Sequence, residues 1–226
     1  MNCSLAKEFV TLFETMTNNN FVKLNAVSSG VSDVKQVVEK AKEKGMKIVI
    51  DGVYNHTGSD SVYFNKKGRY NEIGAFQSKD SKYYNWFDFI DYPKVYESWW
   101  GIDTLPRIRG NCTEFHEYIA GTGGVIEKFM KLGVEGVRLD VVDEISNEFV
   151  KKISNKVKEF GKDKVIMGEV WEDASNKISY SERREYFQGK ELDSVMNYPL
   201  RSALIDFAKN NINAEEFDER IMSIKE

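Results

Sequence analysis

The stretch KLGVEGVRLDVVDEI, residues 131–145, decides the fold class and raises the question of function. An apolar strand starting at Val134 ends at Asp140, and Arg138 stands two positions before that aspartate. Strand side chains two positions apart point to the same face, so both charges are aimed together at one end of the strand. Burying charge costs free energy unless the charge is paired or used. The pair therefore predicts either a structural ion pair or a functional site.

Helix and strand patterns alternate on both sides of this stretch. Before it, valines at helical spacing predict a helix with Asp33 as its N-cap, and MKIVID (46–51) predicts a buried strand. After it, apolar spacing predicts a helix over 146–160, and KVIMGEV (164–170) predicts another strand. The predicted strands that start at Val134 and Val165 lie about 30 residues apart, the length of a βαβ unit. The predicted class is α/β with parallel strands.

Two segments interrupt this alternation. Roughly 80 residues separate the strand ending at Asp51 from the next one, which is too long for a simple βα connection. Fourteen aromatic residues lie between Tyr54 and Trp100, so this segment is expected to fold as a subdomain inserted between barrel strands. Its tryptophans suit either the core of that subdomain or platforms for sugars. Residues 1–32 carry no strand pattern of similar strength and stay unassigned.

Composition excludes several classes of function. The chain has 226 residues and a formal net charge of -4, with no basic run, so a nucleic-acid partner is not expected. Cys3 and Cys112 form no metal-binding or disulfide spacing, and the only histidines are His56 and His116. We find no leader and no apolar span of 18 residues. The expectation is a cytoplasmic protein with reduced thiols and no membrane contact.

Polar groups follow three consecutive predicted strands. In parallel α/β folds the carboxyl ends of the strands meet at one edge, where sites form. The candidate site residues are those at the three strand ends: Asp51, Asn55 and His56 at the first, Arg138 and Asp140 at the second, and Glu169 and Trp171 at the third.

Two carboxylates at neighbouring strand ends suit retaining glycoside hydrolysis, which needs a nucleophilic carboxylate and a protonated carboxyl roughly 5 Å apart. Arg138 is expected to lower the pKa of Asp140 and keep this nucleophile ionised. Glu169 has apolar flanks and no cation nearby in sequence, so its pKa is expected to be raised, as an acid requires. His56 could donate a hydrogen bond to a sugar hydroxyl, and Trp171 could pack against the sugar ring.

Three segments, DGVYNHTG (51–58), GVRLDVVDEI (136–145) and GEVW (168–171), resemble signature segments of the α-amylase superfamily. GSDSVYFNKKGRY (58–70) and the tail after Glu169 are similar to neopullulanase-like and cyclomaltodextrinase-like α-glucan hydrolases. The resemblance implies a partial (β/α)8 TIM barrel over residues 33–226, containing about strands three to six. It also implies an inserted B subdomain over about residues 53–110.

The resemblance implies a role for each matched residue. Asp140 would be the nucleophile and Glu169 the acid/base, while His56 and Arg138 would contact the sugar and Asp51 would support them. The implied partner is an α-glucan oligosaccharide such as a maltodextrin, cyclodextrin or pullulan. No cofactor is required; calcium is a further candidate, with Asn55 as a ligand, although an asparagine that caps the loop explains that residue as well.

The chain also departs from the family pattern. The fourth signature segment, a His-Asp pair, is absent, and Arg109 stands where the family favours asparagine. We therefore expect a truncated catalytic domain with unpaired sheet edges, which a partner chain or dimer could cover. Retaining hydrolysis of α-1,4 or α-1,6 links is the first functional hypothesis, and a non-catalytic remnant or accessory glucan-binding fragment is the alternative. Transglycosylation is a third, since a covalent intermediate can pass to a sugar hydroxyl.

Overall fold

The computed structural model describes residues 31–223, so the prediction for the N-terminal segment lies outside the described residues. The strands of this range, in chain order, are β1 (Val49–Gly52), β2 (Phe89–Asp91), β3 (Val95–Tyr96), β4 (Gly136–Leu139), β5 (Val165–Gly168), β6 (Ile178–Ser179), β7 (Glu182–Arg183) and β8 (Ser194–Val195). Its α-helices are α1 (Val31–Glu43), α2 (Thr113–Ala120), α3 (Val125–Lys131), α4 (Asn147–Lys158), α5 (Tyr198–Ala208) and α6 (Ala214–Met222).

Four strands form one parallel sheet in the order β1-β4-β5-β8. In the register, Asp51 pairs with Arg138, and Leu139 pairs with Gly168. Neighbouring strands therefore end at the same level, which sets the residues that follow them side by side. The α/β class and the partial parallel barrel are confirmed.

Helix α4 shows how the sequence pattern produces this packing. The Ser146 side chain caps the helix by accepting a hydrogen bond from the Phe149 amide at 3.4 Å. One face of the helix is fully or almost fully buried against the sheet and the neighbouring helices: Phe149, Val150, Ile153 and Val157. Gly161 ends the segment with a φ of 149°. The predicted span of 146–160 is confirmed within two residues.

The first helix begins earlier than the sequence predicted. We expected Asp33 to cap it, but α1 starts at Val31, which places Asp33 within the first turn. The prediction was wrong because it took the first periodic valine as the start of the helix, and a helix can extend beyond its apolar stripe.

The segment between β1 and α2 folds around an aromatic cluster. The ring of the fully buried Phe64 lies 4.7–5.9 Å from those of Phe76, Phe87, Phe89 and Tyr96. Strands β2 and β3 pair antiparallel here, and the aromatic cluster is continuous with the hydrophobic core beneath the sheet. The segment is ordered, as its aromatic content predicted, while its limits as a separate domain remain a prediction.

The remaining sequence features have ordinary structural roles. Cys112 is a free, buried thiol, and His116 is buried with its ring stacked on Phe149 at 3.9 Å. Trp86 is a core residue that is 4% exposed, whereas Trp100 is 67% exposed. Among the helices described, none has the length and apolar character needed to cross a membrane.

Candidate active site

One guanidinium joins three carboxylates at the carboxyl ends of the strands. Nη1 of Arg138 lies 2.7 Å from Oδ1 of Asp51 and 2.6 Å from Oδ1 of Asp140, and its Nη2 lies 3.0 Å from Oε2 of Glu169. Asp51 and Arg138 are register partners, while Asp140 and Glu169 directly follow the paired strand residues of β4 and β5. The structure thus brings together four of the predicted site residues. Asp140 and Glu169 bind different terminal nitrogens of the Arg138 guanidinium, so their carboxylates converge on it.

Glu169 is the most constrained of the three acids. Its side chain is 10% exposed, its Oε2 accepts a hydrogen bond from the Val141 amide at 3.1 Å, and its Oε1 accepts one from the Tyr198 hydroxyl at 2.8 Å. The Trp171 indole also donates to this carboxylate. Sequence reasoning missed Tyr198. Tyr198 begins helix α5, shortly after β8 ends. Its position after the fourth strand of the sheet was the signal that could have marked it as a candidate site residue.

The pKa shifts of the two central acids run opposite to the sequence expectation. Burial raises the pKa of Asp140, and the charges of Asp51 and Glu169 add to this, so that Arg138 does not bring it below its usual value. Burial also raises the pKa of Glu169, but the hydrogen bonds from Tyr198, Val141 and Trp171 and the charge of Arg138 outweigh it, and the net pKa is lowered. The expectation was wrong because Arg138 is shared by three acids and Glu169 receives donors that its sequence neighbours do not reveal.

Backbone strain accompanies this arrangement. Val141, directly after Asp140, has a φ of 37° and a ψ of 56°, a left-handed conformation that is unusual for a β-branched residue. Such strain persists only where the surroundings impose it, and it clusters at functional sites. Here the conformation aims the Val141 amide at the Glu169 carboxylate.

His56 lies against an aromatic wall and has no hydrogen bond to the Arg138 cluster among the described residues. Its ring stacks on Trp99 at 5.1 Å, Trp99 stacks on Trp100 at 5.1 Å, and Trp100 meets Trp171 edge-on at 5.4 Å. Burial lowers the pKa of His56, and its Nδ1 is buried without a partner. The predicted contact of His56 with a sugar stays a prediction, and the wall connects His56 to Trp171 beside Glu169.

Calcium binding at Asn55 stays a prediction. Asn55 is 4% exposed and both polar atoms of its amide are buried without partners, which is the feature that favours a ligand. Calcium takes six to eight oxygen ligands, however, and the described residues contain no cluster of three or more acidic, histidine or cysteine side chains suited to a metal. Arg109, at the position where an asparagine was expected, pairs with Asp88 at 2.7 Å. No step of the reaction below involves calcium.

Asp143 and Glu144, three and four positions after Asp140, are mostly shielded from solvent and are hydrogen-bonded. Both residues lie in a 3-10 helix over Val142–Glu144, and their side chains are 22% and 16% exposed. Asp143 accepts a hydrogen bond from Tyr186 at 2.7 Å, and Glu144 accepts one from Tyr180 at 2.6 Å. The partners come from a segment about 40 residues away, which sequence proximity could not indicate.

The sheet is parallel, as in a (β/α)8 barrel, and its carboxyl edge carries acids that share one arginine. These two features define the class: a barrel-type protein with a site built from carboxylates. The chain belongs to the alpha-amylase family, because the family model described as "Alpha amylase, catalytic domain" matches residues 17–226.

Relatives support the same assignment. The chain is 31% identical over 250 residues to an amylopullulanase of Thermoanaerobacterium thermosulfurigenes, covering 95% of this chain and 13% of the relative. It is 33% identical over 198 residues to a cyclomaltodextrinase of Thermoanaerobacter pseudethanolicus, covering 83% of this chain and 31% of the relative. The chain thus spans less than a third of either relative.

A solved structure supports the fold. The cyclic alpha-maltosyl-(1→6)-maltose hydrolase of Arthrobacter globiformis, in complex with its named cyclic sugar, superposes with a TM-score of 0.74 at 22% identity. The match covers 89% of this chain and 43% of that one.

Proposed function

We propose that this chain binds α-glucan oligosaccharides and cleaves their α-1,4 or α-1,6 links with retention of configuration. One observation carries the proposal: Asp140 and Glu169 follow adjacent strands and bind the two terminal nitrogens of Arg138. A retaining mechanism needs two such carboxylates, one on each side of the glycosidic bond. The names of the relatives, an amylopullulanase and a cyclomaltodextrinase, support an α-glucan as the substrate.

In the proposed reaction, Asp140 attacks the anomeric carbon while Glu169 donates its proton to the leaving glycosidic oxygen. A bond forms between the Asp140 carboxylate and the sugar, and the glycosidic bond breaks with its electron pair left on the protonated oxygen. Water, deprotonated by the now ionised Glu169, then hydrolyses the glycosyl ester and frees Asp140. Arg138 stays charged throughout and offsets the negative charge on both acids.

The pKa pattern favours slow turnover, which supports the alternative of a glucan-binding protein that hydrolyses little. Catalysis requires a proton on Glu169 and an ionised Asp140, whereas the pKa of Glu169 is lowered and that of Asp140 is raised in the free chain. Both shifts run against the protonation state that the reaction needs, which favours a slow rate. We expect the 226-residue chain to hydrolyse maltotetraose orders of magnitude more slowly than the cyclomaltodextrinase relative. Equal rates for the two proteins would contradict this.

The anomeric configuration of the first product tests the mechanism. Proton NMR during cleavage of maltotetraose should show the α-anomer of the new reducing end before mutarotation mixes the anomers. An initial β-anomer would mean inversion and would exclude Asp140 as a nucleophile. Binding of maltotetraose without any product would leave the binding alternative as the function.

Removing the Tyr198 hydroxyl should raise the pKa of Glu169. Tyr198→Phe deletes a donor to Oε1 that favours the ionised form, so more of the acid is protonated at a given pH. The alkaline limb of the kcat/KM profile should move to higher pH, and the titration of the Glu169 carboxyl carbon, assigned in NMR spectra by comparison with Glu169→Gln, should move with it.

Tyr92→Phe is the matched control, since the Tyr92 hydroxyl donates to the Phe76 carbonyl outside the site. An unchanged Glu169 titration in Tyr198→Phe would show that this hydrogen bond does not set the pKa. A cytoplasmic location is part of the proposal as well, and the free, buried thiol of Cys112 supports it.

A further inference from the structure

A β-hairpin contributes Ser179 and Tyr180 to a pocket that Glu169 also lines. Strands β6 and β7 pair through a two-residue turn of Tyr180 and Ser181, with φ values of 52° and 65°. Two left-handed residues give the turn that matches the twist of a hairpin, but glycine or asparagine normally occupies these positions. A tyrosine and a serine there cost free energy, so contacts with the rest of the chain hold the turn in place.

The base of the hairpin is anchored to the loop that follows the strand carrying Asp140. Arg184 is 4% exposed and donates to the carbonyls of Asp143 at 2.6 Å and Ile145 at 2.8 Å. The Ser179 hydroxyl donates to the Asp143 carbonyl at 2.9 Å, and the Tyr186 hydroxyl donates to the Asp143 carboxylate at 2.7 Å. The hairpin is therefore preorganised.

The tip of the hairpin makes a three-residue contact that we call the clasp: Arg107, Glu144 and Tyr180. The Tyr180 hydroxyl donates to Oε2 of Glu144 at 2.6 Å, and the Arg107 guanidinium lies 3.7 Å from that oxygen and 5.6 Å from the centre of the Tyr180 ring. The residues come from the inserted segment, the loop after β4 and the hairpin. The clasp thus joins three segments that lie far apart in the sequence.

Between the clasp and the candidate acid lies a pocket of about 190 Å³. Glu169, Trp171, Trp100 and Tyr180 are among its lining residues, while Asp140 is not. In a retaining reaction the acid protonates the leaving oxygen, so the leaving group lies on the side of the acid. The position of the pocket is therefore that of the leaving sugar.

We propose that Tyr180, held by the clasp, is a specificity-determining residue that limits the leaving group to a short α-glucan, one or two glucose units long. The inference rests on the proposed function for the direction of the bond cleavage. Its physical basis is the small volume of the pocket, below the roughly 300 Å³ at which larger organic ligands are usually held. The exposed Tyr180 and the two tryptophans in the lining supply apolar ring faces for one sugar ring.

Binding measured without hydrolysis tests the inference. In an Asp140→Asn background, maltose and maltohexaose are titrated while tryptophan fluorescence is followed, because Trp100 and Trp171 line the pocket. Adding Tyr180→Ala should weaken maltose binding about tenfold and should reduce the preference for maltose over maltohexaose. Ile178→Ala is the matched control, since Ile178 is 68% exposed on the same hairpin and does not line the pocket.

Each outcome separates this inference from the proposed function. Equal effects of Tyr180→Ala and Ile178→Ala, or no maltose binding by the background chain, would overturn the inference even if the unaltered chain hydrolyses glucans. A Tyr180-dependent affinity in a chain that never hydrolyses would support the inference and remove the proposed reaction. If Tyr180→Ala does not fold, Tyr180→Phe provides the test. This substitution removes the hydroxyl that binds Glu144 in the clasp, so an unchanged affinity for maltose would contradict the role of the clasp.

Discussion

Replacing Asp140 by asparagine is expected to lower kcat/KM for maltotetraose by about three orders of magnitude or more, because an amide cannot form the glycosyl ester. The substitution keeps the size of the side chain, so the fold should be retained. The covalent step can be followed separately: intact-mass spectrometry after reaction with a slowly hydrolysed glycosyl fluoride should show one sugar adduct on the unaltered chain and none on Asp140→Asn.

Asp218→Asn serves as the matched control, since Asp218 is exposed on helix α6, away from the site. It should leave both the rate and the adduct unchanged. An adduct that persists in Asp140→Asn would place the nucleophile elsewhere, and the assignment of Asp140 would have to be abandoned.

Replacing Arg138 by leucine is expected to lower the free energy of unfolding by about 2–4 kcal/mol at pH 7, reduced from the value for a fully buried pair because the site is partly exposed. The substitution leaves Asp51, Asp140 and Glu169 close together with no cation between them. Urea unfolding followed by circular dichroism measures the change, and activity should fall with it because neither acid is held in place.

The loss should depend on pH in a defined direction. Without Arg138, burial and the charges of Asp51 and Glu169 raise the pKa of Asp140 in the folded state further above its value in the unfolded chain. Folded-state acids with raised pKa values lose stability as pH rises, so the deficit of Arg138→Leu should be largest at neutral pH and should shrink as the pH falls toward the ordinary carboxyl range.

Arg220→Leu is the control for this experiment. Arg220 pairs with Asp206 at 2.7 Å and is 48% exposed, so its loss should cost less than about 1 kcal/mol. Equal destabilisation by the two substitutions, or a deficit of Arg138→Leu that grows toward low pH, would contradict the role assigned to the shared guanidinium.

Much of the fold could be predicted because its signals are local. The apolar runs before Asp51, Asp140 and Glu169 predicted three neighbouring parallel strands, and the register sets these acids side by side as expected. The predicted start of helix α1 was wrong because a helix can begin before its apolar stripe.

The surroundings of the acids could be predicted only in part. The ion pair of Arg138 with Asp140 follows from alternation along one strand, so two positions in sequence suffice. The hydrogen-bond donors to Glu169 could not be predicted in this way, because Tyr198 lies 29 positions further along the chain and is brought to Glu169 only by the order of the strands. The pKa directions were wrong for the same reason, since they depend on every charge and donor nearby.

The sequence alone determined the class of the fold, the membership of the alpha-amylase family and the candidate acids, Asp140 and Glu169. Spacing along strands and helices carries this information, since residues a few positions apart have a defined relative direction. Only the tertiary structure decided that one guanidinium serves three acids, in which direction the pKa of each of the two central acids shifts, and that Tyr180 reaches Glu144. These are sums of contacts between distant segments, and burial, hydrogen bonding and charge act through space rather than along the chain.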